Sequence, residues 1–259
     1  SGGWTPTDRV VQFAQAARLG NCCGFAAYCR HERLANGHSM GHHRQVVPFR
    51  HALRMLVMNR PFRIIAPPHT PFTTDGHLNL EVVSSQASLL QSAGVDAVFV
   101  CGTTGEMTSL SLEERMTLAE RWCAVTAELD IEVIVQVGHN GQGDARRLAA
   151  HALAAGADAV AAHAPSYFKP RTVEDLIDFL APVAAEAGDL PFYFYDIPSM
   201  TGVRLPMVPF LETGKSRIPN LVGLKYSNDD LVQLQECVQL QDRQFEILFG
   251  SDEQLLAAA

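Results

Sequence analysis

A regular alternation of apolar and amphipathic segments runs through the chain from residue 62 onward, and it constrains the fold more than any other feature. Seven apolar segments, roughly 25 to 35 residues apart, are each followed by sequence with helical periodicity. Such an alternation predicts a parallel sheet buried on both faces, because parallel strands need crossover connections. The seven segments are FRIIAPP, VDAVFVCG, IEVIVQVG, ADAVAAHAP, PFYFYDI, LVGLKYS and FEILFGSD.

Helices are predicted between these strands. One begins after Ser111, where Ser111 and Glu114 have the spacing of a capping box. In that box the serine hydroxyl and the glutamate carboxylate each accept a hydrogen bond from a backbone N–H at the start of the helix. The predicted helices span 79–93, 111–128, 142–155, 172–187, 206–212 and 229–240.

The number of repeats leaves two architectures open. An open doubly wound sheet commonly has five or six strands, whereas a (β/α)8 barrel has eight strands in about 250 residues. The organised region has about 200 residues, no eighth strand follows the seventh, and the sequence stops at LLAAA in the middle of a predicted helix. We therefore expect an α/β fold, a (β/α)8 TIM barrel over residues 61–259 that lacks strand eight and the C-terminal helices. Because such a barrel would have two bare edges, we expect the chain alone to be poorly soluble or inactive.

Residues 1–60 differ from the rest of the chain. They carry a charge of +6, whereas residues 61–259 carry −14, and they show no sustained helical or strand period. We interpret them as an irregular or disordered extension outside the family, with the native start near Met58; a mitochondrial transit peptide is the alternative. A zinc site is not favoured, because the spacing of its candidate ligands matches no standard pattern. Those candidates are Cys22, Cys23, Cys29, His31, His38, His42 and His43.

Composition excludes several classes of protein. The net charge of −8 and the pI near 5.6 argue against a nucleic-acid partner. No segment has the roughly 18 consecutive apolar residues that a membrane span needs. Six cysteines without a secretory signal pattern indicate reduced thiols, and we predict a cytoplasmic location.

Lys225 stands where an apolar strand ends. The chain has only three lysines, so a lysine at this place suggests chemistry rather than solubility. Tyr195 ends the preceding predicted strand. A desolvated amine has a lowered pKa and can form an imine with a ketone, and a nearby phenol can transfer the proton. The alternatives are a lysine that extends from a strand end into solvent and a tyrosine that packs in the core.

Two loops at other strand ends have the composition of binding sites. GTTGE, residues 102–106, places Thr103 and Thr104 between two glycines in a cradle that suits a carboxylate, although a plain turn is an alternative. GSDE, residues 250–253, carries Asp252 and Glu253. These acids suit acid–base catalysis or sugar hydroxyls, or they compensate the charge of a helix N-terminus.

The motifs GTTGE, YDIPSMTG, GLKYSNDD and FGSDEQLL, in this order, resemble the N-acetylneuraminate lyase branch of the dihydrodipicolinate synthase family. The resemblance extends from about Phe62 to the last residue. It implies a (β/α)8 barrel, a homotetramer, and a class I aldolase that uses no metal and no cofactor beyond the covalent imine. The implied reaction is cleavage of N-acetylneuraminate, a sialic acid, to pyruvate and N-acetylmannosamine.

The resemblance also implies roles for individual residues. Lys225 would form the imine, and Tyr195 would transfer a proton at the C4 hydroxyl of the sugar. Thr103 and Thr104 would hold the carboxylate, and Ser227 would contact a substrate hydroxyl. The residues implied to bind the remainder of the substrate are Gly250, Asp252 and Glu253 for its glycerol-like tail, and Tyr167, which family members can lend to the site of a neighbouring subunit.

Two residue positions favour the lyase branch. Met200 stands where dihydrodipicolinate synthases carry an arginine, and the pair Asp252–Glu253 suits a polyol better than a dicarboxylate. The alternatives are another pyruvate-dependent class I aldolase, of the 4-hydroxy-2-oxoglutarate or dihydrodipicolinate synthase type, and an inactive truncated fragment that only binds intact subunits.

Overall fold

In a computed structural model, residues 11–13 and 63–258 are described, and these form a closed barrel of eight parallel strands surrounded by helices. Each strand pairs with the next one in the sequence, and the last pairs with the first. The strands are β1 (Val11–Phe13), β2 (Ile64–Ala66), β3 (Ala97–Val100), β4 (Glu132–Gln136), β5 (Ala159–His163), β6 (Phe192–Asp196), β7 (Leu221–Tyr226) and β8 (Glu246–Phe249).

The predicted barrel fold and its seven strand–helix repeats are confirmed, since every predicted apolar segment contains one of β2 to β8. Residues in the middle of these strands are buried on both faces, which explains their continuous apolar sequence. The helices are α1 (Val82–Ser92), α2 (Leu112–Thr126), α3 (Gln142–Ala154), α4 (Val173–Glu186), α5 (Pro198–Thr201), α6 (Met207–Arg217), α7 (Leu231–Gln239) and α8 (Leu255–Ala258), with 3₁₀ turns at Leu240–Arg243 and Asp252–Gln254.

The expected gap between the first and last predicted strands is occupied. The short strand β1 pairs in parallel with β2 on one side and with β8 on the other. Sequence patterns did not predict β1, because a strand of three residues is too short to show a period. The predicted domain boundary at residue 61 therefore leaves out one strand of the barrel. The other predictions for residues 1–60, including the zinc candidates, the transit peptide and a start at Met58, lie outside the described residues.

Hydrogen-bonded caps fix where the principal helices begin. The predicted capping box is present: the Glu114 backbone N–H donates to Ser111 Oγ at 3.2 Å, and the Ser111 N–H donates to Glu114 Oε2 at 2.8 Å. A second capping box, between Thr172 and Asp175, begins α4. The helices then pack apolar faces against the outer side of the barrel, where Val83 and Ala87 of α1 are fully buried, as their helical spacing indicates.

The interior of the barrel combines small and aromatic side chains. Ala97, Ala159 and Ala161 leave room for the rings of Phe99 and Tyr195 in one packed cluster. At the amino-terminal end of the strands the interior is polar instead. There Arg63 donates to the carboxylates of both Glu132 and Glu246, and Tyr193 donates its hydroxyl hydrogen to Glu246.

Gly223 allows β7 to approach β8 closely. A Cβ added at this glycine would lie 1.8 Å from the backbone carbonyl oxygen of Glu246, which cannot move aside as a flexible side chain could. We expect Gly223→Ala to lower the free energy of unfolding by at least about 3 kcal/mol, because the two strands must separate. Chemical denaturation measures this value.

Gly143→Ala is the matched control for that experiment. Gly143 lies in the first turn of α3, and a Cβ there would meet no atom within 4 Å. We expect this variant to be neutral or stabilised by up to about 1 kcal/mol, because alanine favours the helix. A Gly223→Ala protein as stable as the Gly143→Ala protein would contradict the prediction.

Candidate active site

An open cavity of about 230 Å³ lies at the carboxyl-terminal ends of the strands, where parallel strands run into their loops. Its lining comes from five strands or the loops that follow them, so that residues far apart in sequence face one space. The lining residues are Pro67, Phe99, Thr103, Thr104, Tyr195, Ile197, Ser199, Met200, Lys225, Ser227, Gly250, Ser251 and Glu253.

The amine of Lys225 lies among aromatic rings and one hydroxyl. Its Nζ is 3.7 Å from the ring centroid of Tyr195 and 4.9 Å from that of Phe99. It also donates a hydrogen bond to Ser227 Oγ at 3.3 Å. The side chain points into the cavity while only 5% of the residue is exposed, so a small ligand can reach an amine that bulk water barely touches.

Burial lowers the pKa of Lys225 below the usual value for lysine, because the ammonium form loses its hydration. Tyr195 and the carboxylate of Asp252 act in the opposite direction and raise the pKa. The net shift increases the fraction of the neutral amine near pH 7. A neutral amine is the form that attacks a carbonyl carbon.

Tyr195 is adjacent to Lys225 in the sheet, and its hydroxyl reaches the loop after β3. The two residues are direct partners in the pairing of β6 with β7. The Tyr195 hydroxyl and Thr103 Oγ1 are 3.3 Å apart, within hydrogen-bonding distance. The Tyr195 ring packs edge-on against Phe99, with ring centroids 5.4 Å apart, which holds the phenol beside the amine.

The GTTGE loop forms the wall that carries Thr103 and Thr104, and both threonines are half-buried. The loop turns tightly: Cys101 and Glu106 have φ values of 56° and 58°, in the left-handed region that non-glycine residues rarely adopt. Thr70 Oγ1 donates to the carbonyl of Gly105 at 2.7 Å and ties the loop to the segment after β2. The predicted cradle is therefore a fixed turn whose hydroxyls face the cavity.

Ser227 and Gly250 are packed against each other beside the amine. The Ser227 hydroxyl donates to the Gly250 carbonyl at 3.5 Å, and the Gly250 N–H donates to the carbonyl of Tyr226 at 2.8 Å. A Cβ at position 250 would lie 2.4 Å from Ser227 Oγ and 3.4 Å from Lys225 Nζ. Glycine is thus required here, because Ser227 Oγ and Lys225 Nζ both approach the backbone at position 250 closely.

The two acids after β8 have different positions. Glu253 lines the cavity, whereas Asp252 does not line it and influences the pKa of Lys225 through its charge. Both begin a short 3₁₀ turn, Asp252–Gln254. The arrangement places one carboxylate at the rim of the cavity and a second within electrostatic range of the amine.

Tyr167, like Asp252, is a predicted site residue that does not line the cavity. It is 79% exposed, and its ring packs edge-to-face on that of Phe168 at 5.0 Å. Its predicted role in the site of a neighbouring subunit stays a prediction.

Several lining residues were not among the predicted ones. Phe99 is two residues after Ala97 on the inward face of β3, so the period of two could have revealed it. The others belong to loops whose paths follow no sequence period, and they are Pro67, Ile197, Ser199 and Ser251.

Two further findings concern metals and membranes. Within the described ranges, 11–13 and 63–258, no group of three or more His, Cys, Asp or Glu side chains is placed to hold a metal ion. No helix in the described part of the chain is long and apolar enough to cross a membrane.

Comparison with known proteins identifies the family. Residues 60–259 match the Dihydrodipicolinate synthetase family. The chain belongs to that family. Among curated members, it is 44% identical over 198 residues to N-acetylneuraminate lyase of Gallus gallus and 43% identical over 197 residues to that of Pongo abelii. Each alignment covers 75% of this chain, and the chain spans 64% and 62% of the two family members' lengths.

A solved structure of another family member gives the same result. The native structure of N-acetylneuraminate lyase, a sialic acid aldolase, from Aliivibrio salmonicida superposes with a TM-score of 0.73 at 40% identity. The match covers 76% of this chain and 65% of that one.

Proposed function

We propose that the cavity is the Schiff-base site of a class I aldolase that cleaves N-acetylneuraminate to pyruvate and N-acetylmannosamine. The observation that carries the proposal is the buried amine of Lys225, which faces the cavity beside Tyr195 and Ser227. The similarity to N-acetylneuraminate lyases supports the choice of substrate.

The chemistry begins with attack of the neutral Lys225 amine on the 2-oxo carbon of the sugar acid, and the hydroxyl of the carbinolamine takes a proton from solvent and leaves as water, which gives an iminium. Tyr195 accepts the proton of the C4 hydroxyl as it passes its own phenolic proton to the substrate carboxylate. The C3–C4 bond breaks, and its electrons move into the iminium to form an enamine. N-acetylmannosamine leaves as the aldehyde. Protonation of the enamine carbon and hydrolysis of the resulting iminium release pyruvate and restore the amine.

The walls of the cavity suit the remainder of this substrate. Thr103 and Thr104 hold the carboxylate with hydroxyl and backbone donors. Ser227 and Glu253 face the polyol, and the backbone of Gly250 provides hydrogen-bonding groups next to it. Met200 supplies no cation at the rim, which disfavours a dicarboxylate second substrate such as that of the dihydrodipicolinate synthase alternative.

The finer assignments in this proposal come from the family resemblance. They are the homotetrameric state, the cytoplasmic location, the contribution of Tyr167 to a neighbouring site, and catalysis by the covalent imine with no other cofactor. The activity of the whole protein and of this chain are both part of the proposal.

Trapping with borohydride tests the site directly. Incubation with pyruvate and borohydride reduces an imine to a stable secondary amine, and we expect one carboxyethyl group per chain, located on Lys225 by peptide mass mapping. Lactate in place of pyruvate is the control, because it has no ketone. A folded chain without an adduct, or with the adduct on Lys169 or Lys215, would refute the proposal. Pyruvate release from N-acetylneuraminate and from 4-hydroxy-2-oxoglutarate then distinguishes the substrates.

Gly250→Ala tests the geometry around the amine. The new methyl group must displace the Ser227 hydroxyl, and we expect kcat/KM for N-acetylneuraminate to fall by about 10²-fold. The melting temperature should change little, because the displaced atom ends a short side chain. Gly143→Ala serves as the control with unchanged activity, and wild-type kinetics in Gly250→Ala would contradict the assigned close approach.

A further inference from the structure

A buried hydrogen-bonded pair lies directly behind the cavity, on the outer face of the barrel. Asp196 follows Tyr195 in sequence, and Asn228 follows Ser227. Asn228 Nδ2 donates to Asp196 Oδ2 at 2.9 Å, and both residues are more than nine-tenths buried. The pair therefore links the residue that follows Tyr195 to the residue that follows Ser227, and neither member of the pair lines the cavity.

This pair continues the contact between β6 and β7 beyond their regular pairing. The paired residues of the two strands extend through Tyr195 with Lys225 to Asp196 with Tyr226. The backbone N–H of Ser227 then donates to the Asp196 carbonyl at 2.8 Å, and the side-chain bond from Asn228 follows. The two strand ends are thus joined at the level where the Tyr195 phenol and the Lys225 amine enter the cavity.

The same network is anchored in the layer of helices. Asn228 Oδ1 accepts from the backbone N–H of Asp230 at 3.3 Å, and Asp230 Oδ1 caps α7 by accepting from the Gln233 N–H at 3.0 Å. The Tyr226 hydroxyl donates to the Asp230 carbonyl at 2.7 Å. A shift of Asn228 would therefore have to disturb the start of α7, so the structure holds Asn228 in place and Asn228 in turn holds Asp196.

We infer that Asp196 and Asn228 are positioning residues, which set the spacing between the Tyr195 phenol and the Lys225 amine. This inference rests on the proposed function, since it assigns the pair to the step in which Tyr195 moves a proton. It predicts that loss of the pair slows proton transfer and leaves imine formation intact, because the pyruvate carboxylate is held by the separate loop after β3.

The charge of Asp196, and with it the strength of the hydrogen bond from Asn228, depends on pH. Burial raises the pKa of Asp196 to about 6, although the Asn228 hydrogen bond and the charge of Arg204 act in the opposite direction. The other groups that interact electrostatically with Asp196 are Tyr226 of β7 and Cys237 of α7. Burial raises the pKa of Tyr226 and of Cys237, so both are neutral near pH 6.

Protonation of Asp196 has opposite effects on stability and on positioning. A hydrogen bond to a carboxylate is stronger than one to a neutral acid, so the bond from Asn228 weakens below about pH 6. The folded state nevertheless binds this proton more tightly than the unfolded state, so Asp196 increases stability as the pH falls from about 6 toward the usual range of aspartate. As the pH falls below about 6, the activity should therefore decrease while the contribution of Asp196 to stability increases.

The first test is the pH profile of kcat for the wild type and Asp196→Asn between about pH 5 and pH 8. We expect the wild-type kcat to fall by about tenfold from pH 7.5 to pH 5, in proportion to the ionised fraction of Asp196. Asp196→Asn offers Asn228 only a neutral acceptor at every pH, as the protonated wild type does, so its kcat should already be lowered by about tenfold at pH 7.5 and should lack this acid limb. Proton uptake by Asp196 should raise the melting temperature of the wild type as the pH falls from about 6 to about 5, and Asp196→Asn should lack this contribution.

Asp229→Asn is the matched control. Asp229 is an exposed neighbour whose carboxylate pairs with Arg204 at 3.3 Å, so its loss changes the local charge by the same amount and leaves the buried pair intact. We expect this variant to keep the acid limb of the wild type. An acid limb that persists in Asp196→Asn, or one that disappears equally in both variants, would overturn the inference.

Asn228→Ala separates the two chemical steps. We expect kcat to fall by about 10²-fold while the rate of pyruvate trapping by borohydride stays near that of the wild type. Equal losses in both would overturn the inference, and if this variant does not fold, the Asp196→Asn profile decides alone. A wild-type chain that traps no pyruvate would refute the proposed function and this inference with it. Normal trapping with an unaltered Asp196→Asn profile would refute only the inference.

Discussion

Lys225→Ala is expected to abolish the borohydride-trapped pyruvate adduct and to reduce turnover of N-acetylneuraminate by about 10⁴-fold or more. The reason is that the amine supplies both the covalent bond to substrate and the electron sink for cleavage. Intact mass after trapping and a pyruvate-release assay measure the two effects. The substitution also removes a buried ionisable group, so the fold should persist and the loss should be chemical.

Two variants make the Lys225 experiment specific. Lys225→Arg keeps a cation at the same position, but a guanidinium stays protonated and forms no imine under these conditions, so it should be as inactive as the alanine variant. Lys169→Ala removes an exposed lysine that does not line the cavity and should trap pyruvate normally. A pyruvate adduct in Lys225→Ala would show that the amine has been assigned to the wrong residue.

Tyr195→Phe is expected to lower kcat by about 10²- to 10⁴-fold while the pyruvate adduct still forms on Lys225. The phenylalanine ring keeps the packing on Phe99 and over the amine, and only the hydroxyl that lies 3.3 Å from Thr103 Oγ1 is lost. Steady-state kinetics with N-acetylneuraminate and a parallel trapping experiment separate proton transfer from imine formation.

Tyr193→Phe is the matched control for that variant. Tyr193 lies two residues earlier on the same inward face, at the opposite end of the barrel, where its hydroxyl donates to Glu246. Its loss should destabilise the chain by about 1 to 3 kcal/mol, because it leaves a partly buried carboxylate with one donor fewer. Turnover should be unchanged. A Tyr195→Phe enzyme with the kinetics of Tyr193→Phe would exclude the phenol as proton carrier.

Much of the site could be predicted from sequence because of a property of parallel barrels. Carboxyl-terminal strand ends converge on one face, so residues at those ends must be neighbours even when far apart in the chain. Locating strand ends therefore sufficed to bring Lys225, Tyr195, Thr103 and Glu253 together, and the structure places all four around one cavity. The start of α2 was predictable for a different reason, since the capping box of Ser111 and Glu114 is a local pattern.

The features that escaped sequence analysis depend on contacts between distant segments. The pair of Asp196 and Asn228 looks like ordinary polar loop sequence until β6 and β7 are placed side by side. The close approach at Gly250 is likewise a property of two loops and of no single motif. Strand β1 has only three residues, and its pairing partners lie more than 50 residues away along the chain.

The position of β1 has a consequence for how the barrel assembles. Val11 and Leu248 are direct partners, so the pairing that completes the circle joins segments near opposite ends of the described chain. Bringing such distant segments together costs more loop-closure entropy than any pairing between consecutive strands, and contacts of this kind slow folding. We therefore expect an open sheet of β2 to β8 to form first and the circle to close last. During synthesis, β1 leaves the ribosome before β8, so the pairing that closes the barrel can form only after β8 has been made.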